Sequence, residues 1–192
     1  MAFPRPRHVL SALRGLFYRM RYGGRVRFNI FRTYFGPGFE LGLVGDGRLV
    51  ISSDAGRVYF SRDCSVLCSN GELSIGPGVF FNRGCNLVAH KKIEIGADCM
   101  FGPNVSLYDS DHVFADPTKP YRYQGYTKDP IRIGSNCWVG VNAVVTKGST
   151  IGDNTVVGAN SVVRGHLEAS SLYAGQPARR LRGIGASGPT TA

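Results

Sequence analysis

The residue best suited to chemistry is His112, in the run Asp109-Ser110-Asp111-His112. An unperturbed imidazole titrates near pH 6.5, so it can accept a proton from an attacking hydroxyl at neutral pH. By itself a loop histidine is more often an ordinary surface residue. His112 differs because it opens the one large insertion in an otherwise regular chain, and such loops usually carry function. Asp109 and Asp111 could orient the imidazole, or could be solvated loop acids. The other histidines are His8, His90 and His166. A catalytic zinc takes three protein ligands, and His90 with His112 does not complete a set, so no metal is expected. Cys64, Cys68, Cys85, Cys99 and Cys137 include no C-x-x-C pair and read as reduced core thiols.

The elements that must position His112 show in the spacing. Ile133, Val139, Val145, Ile151, Val157 and Val163 fall six apart without a slip. Four residues after them come Cys137, Ala143, Ser149, Thr155 and Ser161, with Leu167 breaking the run. A period of six suits neither a helix nor an isolated strand, so it marks a structural repeat. It fits a triangular solenoid of short strands, three hexads to a coil about 4.8 Å thick. Gly, Asn and Asp occupy the tight corners, which accounts for the 26 glycines. Ile75, Phe81 and Leu87 begin the same pattern, with Val79 and Cys85 as small inward partners. Ile95, Phe101 and Leu107 continue it, with Cys99 and Val105. Between Ile75 and Ile95 two residues too many bulge near His90-Lys91-Lys92. Between Leu107 and Ile133 about twenty are extruded, over 109–130.

The net charge of +10 is concentrated at one end. Arg5, Arg7, Arg14, Arg19, Arg21, Arg25, Arg27 and Arg32 all precede the first acid, Glu40. Residues 1–24 form a basic arm, irregular over 1–7 and helical from His8 to Tyr22. Val9, Leu13, Leu16, Phe17 and Met20 lie on one face, and Gly23-Gly24 ends the helix. Two readings stand: a helix lying on an anionic membrane, or one packed against the solenoid or a neighbouring subunit. No nucleic-acid motif accompanies the arginines, and none is expected as a partner. Residues 25–74 read as early, irregular coils, 75–182 as the regular repeat, and 183–192 as a disordered tail. No run of about twenty apolar residues and no cleavable leader is visible, so a cytoplasmic location is the default.

Residues 72–182, with the six hexads and Ala174-Gly175-Gln176-Pro177-Ala178, resemble the hexapeptide-repeat acyltransferases. The likeness is greatest to galactoside, maltose, nodulation-sugar and capsular-polysaccharide O-acetyltransferases. It implies an all-β fold, a left-handed parallel β-helix with the arm and the extruded loop appended. It also implies a homotrimer with shared active sites, acetyl-CoA as co-substrate, and a sugar or glycan acceptor. GPNVSLYDSDH matches the segment of the general base, at His112. Asn82 in FFNRGCN matches an asparagine that orients the acceptor hydroxyl, although a corner residue tolerating positive φ is the plainer reading. Trp138 in CWVG matches an aromatic shaping the acceptor end of the cleft, or packs at a subunit contact. Val141 and Ala159 match positions whose main chain meets the pantetheine arm. Arg164, Arg179 and Arg180 match positions near the nucleotide end, where forked guanidinium donors suit phosphate. Residues 165–169 depart from the family's commoner run of an acid and paired prolines. An amino-sugar N-acetyltransferase or a xenobiotic acetyltransferase would share all of this. A γ-type carbonic anhydrase lacks its third histidine here, and a non-catalytic membrane scaffold would have no use for His112.

Overall fold

The computed structural model describes residues 6–53 and 55–185. Of the irregular start expected over 1–7 and the tail expected over 183–192, residues 1–5 and 186–192 lie outside them; Pro6 and Arg7 already belong to a helix and Gly183 ends a strand, which corrects both bounds. The chain winds as a parallel β-solenoid, each coil adding one short strand to each of three sheets. In the order the chain visits them, these first, second and third sheets hold 7, 8 and 6 strands. Strands from Val26 onwards pair into the same sheets as the regular repeat, so the stack is continuous through Ile75.

The hexad positions stack in register. Ile75 lies on Ile95, Ile133 and Ile151 in the first sheet. Phe81, Phe101, Val139 and Val157 succeed one another in the second, and Leu87, Leu107, Val145 and Val163 in the third. Every one of these side chains is buried, as are Cys99, Val105, Cys137, Ala143, Ser149, Thr155 and Ser161 at the corners. In the early coils the axis is filled by larger groups. The rings of Phe60, Phe81 and Phe101 stack at 4.7 Å spacing, and Phe35 continues the column at 5.8 Å. The third residue after an inward aliphatic takes positive φ, at Asp98, Asn104, Asn136, Asn142, Asn154 and Asn160. These side chains also tie coils together: Asn104 donates to Asn142 and Asn142 to Asn160, both at 3.1 Å.

A solenoid leaves raw strand edges at both ends, and edges invite unwanted pairing. At the far end Arg179–Gly183 doubles back antiparallel on Ser171–Ala174. At the near end the edge is closed by α1, Pro6–Tyr22. Its polar groups satisfy the exposed carbonyls of the first coil. Arg14 Nη1 donates to Phe35 O (3.0 Å), Tyr18 Oη to Phe39 O (2.9 Å) and Tyr22 Oη to Leu41 O (2.9 Å). Ser11 Oγ accepts from the Phe35 amide at 2.8 Å. The helix therefore docks by Ser11, Gly15 and Tyr18, not by its apolar stripe. Val9, Leu13, Leu16, Phe17 and Met20 point outward and are exposed. Among the described residues no helix is long and apolar enough to cross a membrane.

Candidate functional site

The insertion after Tyr108 is a folded hairpin. Ser110–His112 pairs antiparallel with Tyr126–Lys128, His112 opposite Tyr126. A 3₁₀ turn at Tyr121–Tyr123 lies between them, and Gln124 braces it by donating to the carbonyls of Asp116 (2.8 Å) and Lys119 (2.9 Å). The His112 and Tyr126 rings lie 4.3 Å apart, tilted by 38°. Tyr126 also stacks with His90, at 4.9 Å and 25°. Burial lowers the pKa of His90, favouring its neutral form. His112, Phe114, Tyr121 and Arg122 line an open hollow of about 430 Å³. The chemistry available there is a solvent-accessible imidazole beside two aromatic faces and a guanidinium.

The two acids have other partners than the His112 ring. Asp109 is 0% exposed, and its carboxylate accepts hydrogen bonds from the amides of His90 (2.6 Å), Lys91 (2.7 Å) and Lys92 (2.7 Å). The expectation that it meets the acceptor or orients His112 is corrected. Its charge satisfies the three amides of the two-residue bulge, which have left the strand ladder. Asp111 pairs with Lys147 at 3.5 Å across the hairpin base. The bulge and the insertion lie apart in the sequence, and Asp109 joins them.

His90, Asp109, Lys147 and Arg164 follow third-sheet strands and precede first-sheet ones, so they share a corner with the hairpin. Asn82, Val141 and Ala159 sit at another corner, between the second and third sheets. A four-residue strand, roughly 13 Å long, separates the two corners. A single chain therefore keeps Asn82 and His112 apart. Asn82 does not take positive φ, and Gly84 (φ 71°) holds that place in its turn. Its Oδ1 accepts from the Arg83 amide at 2.8 Å, and its position is glycine in the next coils, at Gly102, Gly140 and Gly158. Those glycines are required by closeness: a Cβ on Gly140 would stand 2.6 Å from the Ala159 nitrogen. Trp138 is 52% exposed on the second sheet, in register with Met100 and Val156. Arg164 and Arg179 are exposed. Arg180 is engaged by Ser171 Oγ (3.1 Å) and Glu168 (3.6 Å), leaving less of its fork for a phosphate.

His90, Phe114, Tyr121, Arg122 and Tyr126 were not singled out from the sequence. The aromatic density of FADPTKPYRYQGY was the available signal. All five cysteines are buried thiols. Among the described residues no three His, Cys, Asp or Glu side chains form a metal-holding group.

Residues 130–165 match the family model for the bacterial transferase hexapeptide (six repeats). A probable acetyltransferase of Mycobacterium tuberculosis is 30% identical over 174 residues, 86% of this chain and 57% of its own. The galactoside O-acetyltransferase of Escherichia coli K12 is 33% identical over 128 residues, 66% of this chain and 58% of its own. The chain thus spans under three fifths of these relatives. A hexapeptide-repeat acetyltransferase of Vibrio cholerae, solved with acetyl coenzyme A, superposes with TM-score 0.62 at 23% identity. That match covers 94% of this chain and 86% of the other. An N-acyltransferase of Bacillus cereus, solved with coenzyme A and dTDP-4-amino-4,6-dideoxyglucose, reaches TM-score 0.66 at 17% identity, covering 88% and 89%. By its sixfold period, the register of its coils and these likenesses, the chain is similar to the hexapeptide-repeat transferases, and residues 130–165 carry their repeat.

Proposed function

We propose that this protein is an acetyl-CoA-dependent O-acetyltransferase acting on a sugar hydroxyl, in a cell-surface polysaccharide or its precursor. The observation that carries the reading is the presentation of His112: an imidazole on a braced hairpin, its ring tilted against Tyr126, at an open hollow. In this reading His112 accepts the proton of the acceptor hydroxyl as its oxygen attacks the thioester carbon. The carbon–sulfur bond then breaks, and the imidazolium returns the proton to the departing thiolate. Phe114, Tyr121 and Arg122 offer the apolar faces and forked donor that a sugar ring can use.

Asn82, Val141 and Ala159 belong to the other corner, so the reading requires a second copy to bring that corner to His112. A homotrimer with its sites between chains does this. Arg164 and Arg179 then bind the nucleotide end of acetyl-CoA, and the main chain at Val141 and Ala159 meets the pantetheine arm.

His112→Ala should abolish nearly all acceptor-dependent thiol release while acetyl-CoA still binds. Retained turnover would defeat the assignment. Run against sugars and amino sugars in parallel, the same assay separates hydroxyl from amine acceptors. Faster release with amines would replace the reading by N-acetyl transfer.

A further inference from the structure

Helix α1 turns the wrong face outward for a protein surrounded only by water. At 3.6 residues per turn, its docked residues Ser11, Gly15, Tyr18 and Tyr22 fall within about 60° of one another. Leu16, Val9, Met20, Leu13, Phe17 and Leu10 span about 120°, centred roughly opposite. All six are exposed, Met20 to 79%. Arg7 and Arg21 border this stripe on one side and Arg19 on the other, while Arg14 is turned to the first coil by its bond to the Phe35 carbonyl. The helix has no acidic residue, and none follows before Glu40.

We propose that this face docks the protein on an anionic lipid bilayer. The apolar stripe enters the acyl boundary, and the arginines lie level with lipid phosphates. A second copy fits less well, since two such faces would oppose arginines with no acid between them. Placement at the end of the stack suits the role. The docking contacts with the first coil are made by the opposite face, so insertion breaks none of them. The His112 coil then stands three coil steps from the docked end, roughly 14 Å at strand spacing.

The test is flotation of the full chain with phosphatidylcholine vesicles, with and without phosphatidylglycerol. Binding should need the anionic lipid and weaken as salt rises. Arg19→Gln with Arg21→Gln should lower partitioning roughly 30-fold. Leu13→Ser with Phe17→Ser and Met20→Ser should lower it at least about tenfold. All these residues are exposed, and circular dichroism and melting of the variants should match the parent. Absence of binding by the parent, or equal binding by the variants, overturns the proposal. So does lipid-free doubling of mass that the triple variant abolishes, because a second copy would then cover the face.

Discussion

The ring of Tyr126 covers that of His112 at 4.3 Å, and the backbone pairing of their strands sets the two residues directly opposite. An imidazole held this way has fewer orientations to lose when it meets a substrate. On the proposed reaction, Tyr126→Ala should lower kcat by about ten- to a hundredfold while the KM for acetyl-CoA stays put. Tyr126→Phe keeps the ring and should retain most of the rate. If the alanine variant instead raised that KM with kcat unchanged, Tyr126 would be a binding group and not a positioning one.

Asp109 makes a separate prediction about stability. It is fully buried, and three amides donate to it. Asp109→Ala leaves those donors without a partner, at about 3–5 kcal/mol. At this chain length that lowers Tm by roughly 6–20 °C. Asp109→Asn keeps one acceptor oxygen and should fall between. A melt of the alanine variant within a degree or two of the parent would show that water or a shifted backbone satisfies the bulge.

What could be read from the sequence divides along physical lines. Ile133 to Val163 announced both fold and register, because a solenoid repeats one local environment and each coil restates the rule. Cys99, Ala143 and Thr155 were placed inward for the same reason, and each is buried. Asp109 was misread because its partners, the amides of His90 to Lys92, lie seventeen to nineteen residues back and carry no side-chain signature. The helix was harder still. Its apolar stripe follows from periodicity, but the docking face is chosen by the open carbonyls of Phe35, Phe39 and Leu41, which Arg14, Tyr18 and Tyr22 satisfy. Periodicity locates a stripe without saying what covers it. The separation of Asn82 from His112 by one strand was latent in the hexad count, since the chain returns to the Asn82 corner at Gly102 and crosses one third-sheet strand more before His112.

The buried thiols predict both reactivity and an alkaline limit. Burial pushes Cys68 up to about 12 from the ordinary 9.0. The folded state thus keeps a proton that the unfolded chain gives up. The stabilisation is complete below about pH 9 and is lost as pH rises towards 12. Cys68→Ala should flatten part of the decline in Tm over that range. A thiol reagent at pH 8 should find almost nothing to modify in the native protein and five groups after denaturation. Rapid labelling of the native chain would mean that the core opens locally.

The closeness of the coils can be tested with one methyl group. A Cβ on Gly140 would meet the Ala159 nitrogen at 2.6 Å and the Gly158 carbonyl carbon at 2.8 Å, and neither backbone atom can swing aside as a side chain could. Gly140→Ala must therefore push two hydrogen-bonded coils apart, at about 1–3 kcal/mol. Loss of glycine's entropy in the unfolded chain returns only about 0.4–1 kcal/mol of that. Gly24→Ala is the control, for nothing lies within 4 Å of its Cβ. It should leave Tm level or slightly raised, while Gly140→Ala lowers it by a few degrees. Equal melts for the two would mean that the corner between the second and third sheets yields easily.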